Sequence, residues 1–469
     1  MNRLRQLFSN PELRKRLLFT LVMLVIYRLG VHVSVPGVNP QALAKSLGKA
    51  GDLLSVVDLF SGGAFKKFSV FALGITPYIT ASIVLQLMVA VVPTLENLQK
   101  KEGEAGRQKI NQWTRYLTVG LALVQGFGIA TMATNLGPDV VDQRLSPMAF
   151  KLLCAFTLTT GSIFIMWIGE QITERGLGNG ISLLIFAGIV AGLPKGVKTL
   201  GGMFVQSLNV DLTTKFGHAL SWMFDISGKS SGTPPGVYFL LVFAMVAVLL
   251  AVVLVENAYR RIPIHYARRT DSSNMASQRS SYLPLKLNTS GVMPVIFASS
   301  VIYFPATIAQ FTKWTWLSTA ASYISPQTHF WYYLPVFVGT VVFFAFFYTS
   351  IVFNPDETAE NMKRSGGYIP GIRPGKETSI YMDSILSKLT FAGAIYLAIV
   401  SIVPLLILNN LPGVNFYYGG TSLLIVVGVA LDTVSQVESY QVMRHYDGFL
   451  EKGRIRGGGR LARAGAKER

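Results

Sequence analysis

Ten apolar runs alternate with polar, mostly basic connections along the chain. They lie at about 17–33, 74–92, 116–135, 151–171, 181–200, 237–255, 289–311, 331–353, 386–408 and 421–440. Runs of roughly 18 or more apolar residues with few charges predict helices that cross a bilayer. The pattern therefore predicts an all-α polytopic membrane protein with ten transmembrane helices. A hydrophilic connection at 201–236, rich in Gly, Ser and Pro, separates a first half at 1–200 from a second at 237–442. The basic, glycine-rich tail at 443–469 reads as disordered.

One stretch departs from the plain alternation. Residues 60–92 read FSGGAFKKFSVFALGITPYITASIVLQLMVAVV. The first part carries Ser61, Gly62, Gly63, Lys66 and Lys67. The second is apolar but holds Gly74, Pro77 and the hydroxyl residues Thr76, Thr80 and Ser82. Glycine loosens a helix and proline removes a backbone donor. In lipid, such a segment needs its freed polar groups to face protein or a wet cavity. Two readings stand: a broken helix, with a short half outside the core, a hinge and a spanning half that lines something wet, or an ordinary span after a polar loop.

Composition supports the membrane reading. Hydrophobic residues make up 51% of the 469 and charged ones 14%, against roughly 25% charged in a soluble chain. The N-terminal basic and apolar stretch lacks a small-residue cleavage site, so it reads as a retained first span. With a single cysteine, Cys154, no internal disulfide forms. The net charge of +18 is placed unevenly. With the N-terminus inside, the connections on that side carry roughly 30 of the 42 Lys and Arg residues, which predicts cytoplasmic N- and C-termini. Five spans per half reverse the orientation of the second half. An inverted repeat with a site between the halves is thus permitted, although no residue-level repeat is evident.

Enzyme signatures are poor. His32, His218, His265, His329 and His445 are scattered, with no pair at helical spacing. A Gly-Lys-Ser at 228–230 lacks the upstream glycine of a phosphate loop, Met223 standing there. The GLGNG at 176–180 follows a span rather than a strand and reads as a tight turn. No enzymatic activity, cofactor or metal site is expected. Charges in or near spans are Arg28, Glu170, Glu256 and Asp432. The first three sit near span ends, where snorkelling or headgroup contact explains them. Asp432 lies deeper and can pair across helices, which keeps an ion-coupled transporter in view.

Two positive signals remain. Ile75 and Ile79 stand at i, i+4 on one helix face, and Ile181 and Ile185 repeat that spacing. Core packing explains such pairs as well as a lining role does. The connections at 258–288 and 354–386 are long and rich in Arg, Pro and Gly. They suit enforcement of topology, contact with anionic phospholipids, or docking of a soluble partner, including one that contains RNA. A membrane scaffold whose loops only recruit partners is a further reading.

Several long, non-repetitive runs together carry a resemblance: FSGGAF (60–65), FALGITPYITASI (71–83), KKEGEAGR (100–107), ERGLGNGIS (174–182), IFAGIVAGLP (185–194), FNPDETAENMKRSGGYIPGIRPG (353–375) and GGTSLLIVVGVALD (419–432). With them the chain resembles the SecY/Sec61-alpha family over about 11–453. The resemblance implies two inverted five-helix halves around a central hourglass pore with a plug. The implied activity is passive conduction of unfolded preproteins across a bacterial plasma (inner) membrane, with lateral release of apolar segments into lipid. The implied pore ring is Ile75, Ile79, Ile181, Ile185, Ile296 and Ile425. A plug lies at about 57–68 and includes Asp58, Phe60, Ser61, Gly62 and Gly63. A lateral gate holds Thr80, Gln125 and Phe304. Arg373, helped by Arg268 and Arg269, docks partners. Those implied partners are the SecE and SecG subunits, the SecA ATPase, the ribosome, and signal peptides and nascent secretory chains. One departure stands out: the loop tip at 270–281 reads TDSSNMASQRSS, with Ser272 and Ser273 where the family usually has an arginine pair. Partner contacts that need those guanidinium groups are thereby weakened.

Overall fold

The computed structural model describes residues 11–39, 42–43, 61–135, 140–141, 144, 146–208, 235–266, 281–311, 315–324, 329–409 and 420–440. Helices dominate. In chain order they are α1 (Pro11–Gly30), α2 (Thr76–Val91), α3 (Pro93–Lys101), α4 (Gly103–Asn135), α5 (Pro147–Arg175), α6 (Gly180–Leu208), α7 (Pro235–Glu256), α8 (Met293–Phe311), α9 (Thr315–Tyr323), α10 (Phe330–Val352), α11 (Pro355–Arg364), α12 (Lys376–Asn409) and α13 (Gly420–Tyr440). A helix lies at each of the ten apolar runs. Among the described residues five are long and apolar enough to cross a membrane by length and composition: Gly103–Asn135, Pro147–Arg175, Phe330–Arg364, Lys376–Pro404 and Gly420–Tyr440. The pair α2 and α3 makes a sixth if counted as one broken span, bent by 102°. Shorter apolar stretches lie at Gly180–Pro194, Phe243–Glu256 and Met293–Pro305.

Local chemistry sets the boundaries. Ser146 caps α5, its hydroxyl accepting from the Ala149 amide at 3.2 Å, and Pro147 occupies the first helical position. The turn between α5 and α6 is the expected GLGNG, with Gly178 at φ +84°. Pro93 ends α2 and starts α3, because it cannot donate into the preceding helix. Several helices run further than the hydropathy pattern suggests, two of them by ten residues or more. α4 begins at Gly103 rather than 116, and α12 at Lys376 rather than 386. Apolar content reports the surrounding solvent, whereas the backbone stays helical through charged turns outside the lipid.

Close packing in the first half rests on small residues. A Cβ on Gly126 of α4 would stand 3.2 Å from the Ala155 carbonyl oxygen of α5, a tight contact that the glycine avoids where these two backbones approach. Hydroxyls inside the helices are closed on their own backbones. Thr114, Thr118, Thr159 and Thr160 each donate to the carbonyl four residues earlier. On α2, Thr80 donates to the Thr76 carbonyl at 3.1 Å, and Ser82 accepts from the Gln86 side chain at 3.0 Å, while Gln86 Oε1 is buried without a hydrogen-bond partner.

The all-α reading misses a small sheet. Strands β1 (Tyr259–Tyr266), β2 (Ser281–Lys286) and β3 (Gly367–Tyr368) form an antiparallel sheet in the order β2-β1-β3. Ile262 faces Leu283 and Ile264 faces Ser281, while His265 pairs with Tyr368. Pro263 is tolerated in the middle strand because β3 reaches only His265 and Tyr266, leaving β1 an edge at the proline. Ile262 and Ile264 point inward from alternate positions, together with Leu285, Met362, Ile369, Met382, Ile385, Leu386 and Leu389. The two long connections thus form one platform with its own core, built over the first turns of α12.

The remaining buried residues fall into two cores. One draws on α1, α2, α5, α6, α7, α8, α10, α12 and α13. The other lies among α4, α5, the stretch after α1 and the segment 61–75.

Candidate functional site

Five of the six ring isoleucines meet in one connected core. Ile75, Ile79, Ile185, Ile296 and Ile425 are buried members, and the partly buried Ile181 packs against it. They come from α6, α8, α13 and the start of α2, hence from both halves of the chain. Ile75 is the residue just before α2, with φ −92° and ψ −1°, so the i, i+4 pair with Ile79 spans the helix start.

Residues 61–75 contribute Ala64, Phe71 and Ile75 to that core. The sequence pattern suggested a short half outside the core, and the structure overturns this. Ser61, Ala64, Phe65, Phe68, Phe71, Ala72 and Leu73 are buried, and the backbone runs as successive turns until α2 begins at Thr76. Two backbone bonds stitch it to the stretch after α1: Val35 donates to Phe68 at 2.9 Å and Val70 to Val33 at 2.9 Å. Phe71 stacks on Tyr27 at 6.1 Å and on Phe164 at 6.0 Å, tying α1 to α5. These turns lack any hydrophobic period, so sequence alone cannot tell a buried irregular segment from a surface loop.

The start of this segment is held most closely. Gly62 adopts φ +66° and Gly63 φ +87°, a region open to glycine at little cost. A Cβ on Gly62 would stand 2.8 Å from the Cα of Gly188 in α6. The Arg28 guanidinium donates from Nη1 to the Gly62 carbonyl at 2.8 Å. The Tyr27 hydroxyl donates to the Ser61 carbonyl at 3.4 Å, and the Ser61 hydroxyl accepts from the Phe65 amide at 3.2 Å. Asp58 and Phe60, also expected here, lie outside the described residues, as do Arg268, Arg269 and the loop tip with Ser272 and Ser273.

Arg28 is the residue that sequence reasoning undervalued. It was explained by its position near a span end, yet it turns inward to a backbone carbonyl 34 positions away. The available signal was the cost of a charge within a span, which by itself points to a named partner. The other charges also have partners. Glu170 accepts from Arg115 at 2.8 Å, and Glu256 accepts from Asn288 at 2.7 Å. Asp432 is 63% exposed and 3.6 Å from Lys286 of β2, an arrangement unlike a buried coupling acid.

Helix α8 packs against both α2 and α4. Thr80, Gln125 and Phe304 sit on these three helices. Gln125 is buried, whereas Phe304 is more than a third exposed. Thr80 bonds to its own helix. The three elements come together. Arg373 is exposed on the platform beside β3, with its carbonyl accepting from Thr378 at 2.9 Å. Among the described residues no group of three or more His, Cys, Asp or Glu side chains could hold a metal ion.

Helices from both halves of the chain thus share one apolar core that holds the six isoleucines, with an irregular segment packed against it. The SecY family model matches residues 69–434. The chain belongs to the SecY family. It is 43% identical over 455 residues to the protein translocase subunit SecY of Escherichia coli K12, covering 96% of each chain. It is 39% identical over 462 residues to that of Thermotoga maritima, covering 96% of this chain and 98% of the relative. Among solved structures, a protein-conducting channel superposes with TM-score 0.61 at 18% identity, covering 92% of this chain and 93% of that one. The Sec61 channel of a canine ribosome–channel complex superposes with TM-score 0.59 at 17% identity, with the same coverage. A SecY structure whose plug domain is described as stabilising the closed state of the translocation channel gives TM-score 0.59 at 20% identity, covering 92% of each.

Proposed function

We propose that the protein is the pore subunit of a bacterial protein translocase, a passive channel that passes unfolded chains outward and releases apolar segments sideways into lipid. The observation that carries this reading is the convergence of six isoleucines from both halves on one core. A ring of branched apolar side chains closes a pore by dewetting and yields to a passing chain. In this reading ten helices span the inner membrane as two inverted halves, with both termini cytoplasmic. The segment around Ser61, Gly62 and Gly63 is the plug. Its irregular backbone is tolerated at membrane depth because it is buried in protein. The lateral gate opens where α8 parts from α2 and α4. The platform carrying Arg373 receives the SecA motor or the ribosome, its basic surface favouring acidic or phosphate-bearing partners. SecE and SecG complete the assembly, and anionic phospholipids meet the basic connections.

A crosslink tests the pore directly. Cys154 is replaced by serine, a single cysteine is placed at Ile181, and a signal-bearing chain with its own cysteine is stalled in reconstituted membranes. The expected result is a disulfide to the stalled chain that is lost on release. Demonstrated docking and an accessible thiol without any crosslink would move the conducting path elsewhere.

A further inference from the structure

We propose that Arg28 is the latch that keeps the plug seated, acting through the Gly62 carbonyl. This rests on the reading of the segment around Ser61, Gly62 and Gly63 as part of the plug at about 57–68. Arg28 stands in the last turn of α1, where a long side chain is able to reach outward to water, yet it turns to the protein instead. Here Nη1 finds the Gly62 oxygen at 2.8 Å, a charge-assisted bond and therefore stronger than a neutral one. The acceptor is held in place from the far side. Glycine meets glycine where Gly62 rests on the Gly188 backbone, and the left-handed φ of Gly62 fixes the direction of the neighbouring carbonyls. Tyr27 adds a longer bond to the adjacent Ser61 carbonyl and braces α1 by stacking on Phe71.

The energetics make the latch two-state. With the plug seated, the part-buried guanidinium is held on the Gly62 oxygen. With the plug displaced, it loses that acceptor and turns to water. Unseating and wetting are therefore coupled through one side chain. Arginine suits the task better than lysine, since its planar fork loses less freedom per bond and is more weakly hydrated. Arg28 is thus a positioning residue: it touches the plug and not the passenger.

The test uses the assembled channel in proteoliposomes. Ser61→Cys reports on the seat, and native Cys154, buried in the other core, serves as an internal control. Labelling by a membrane-impermeant maleimide is followed at both positions by mass spectrometry, beside resting ion conductance. Arg28→Ala is expected to raise labelling at position 61 and resting conductance by about tenfold each, the scale of one lost charged hydrogen bond. Arg28→Lys is expected to fall between, and Tyr27→Phe to change little. Equal labelling in Arg28→Ala and the parent overturns the latch. A matching rise at Cys154 also overturns it, since that is general loosening. Faster labelling at position 61 with unchanged conductance keeps the bond but removes the segment's sealing role, and the plug reading fails with it.

Discussion

The apolar core at the ring and the platform beside it are held together by different forces. The ring core is side-chain packing among branched and aromatic residues from many helices, with only a few polar ties such as Arg28 to Gly62. The platform is registered by backbone. Its ladder pairs Ile262 with Leu283 and His265 with Tyr368. Asn354 caps α11 by accepting from the amides of Asp356 and Glu357, and the Ser379 hydroxyl donates to Asp356 across to α12. Hydrogen-bond registry specifies one geometry, whereas non-directional apolar contact can part and re-form. A channel needs the second property at its centre and the first where a partner grips.

The largest effect is expected where packing alone acts. Phe337→Ala removes a fully buried ring from the ring core and should cost about 3–5 kcal/mol. The reading is a lowered midpoint of thermal unfolding in the solubilised protein, and a loss under about 1 kcal/mol would mean that this core is loosely filled. Next comes Gly62→Val. A side chain at φ +66° is strained by about 1–2 kcal/mol, and this one also meets Gly188. Resting conductance should rise about tenfold for each 1.4 kcal/mol by which the seated state is weakened. An undisturbed seal would show that Gly62 does not bear on closure.

Smaller effects should appear on the platform. Asn354→Ala removes a cap worth about 1 kcal/mol. Faster amide exchange is expected across Pro355–Arg364, with resting conductance unmoved. A change in conductance would break the contrast between the two regions. Least of all should follow from Lys286→Ala. Its partner Asp432 is 3.6 Å away and both are well exposed, so stability should shift by less than about 1 kcal/mol. A larger loss would give this pair a role that its geometry does not suggest.

How much of this was legible in the sequence depends on the range of the interaction. Helices were readable, because each long apolar run declares its own environment. The isoleucine pairs at 75/79 and 181/185 were readable as one helical face. Their meeting with Ile296 and Ile425 came only with the family resemblance. The platform was not readable, since β3 is two residues long and pairs with β1 across a hundred positions. Alternating Ile262 and Ile264 was the one local clue. The burial of 61–75 was equally hidden. Its turns follow no period, and its tie to Arg28 joins residues that neither pattern nor spacing relates.

Helix α12 has a mechanical consequence. Met382, Ile385, Leu386 and Leu389 belong to the platform core, while Leu397, Ala398 and Val400 belong to the ring core. One continuous helix therefore joins the platform core to the apolar core that holds the isoleucines. Its stretch Lys376–Pro404 is 29 residues, or about 43 Å at 1.5 Å per residue. For a rod of that length, a tilt of about 5° at one end displaces the other by about 4 Å, close to the width of a methyl group. The helix thus ties the two cores mechanically, because Leu397, Ala398 and Val400 ride on the same rod as Met382 and Leu386.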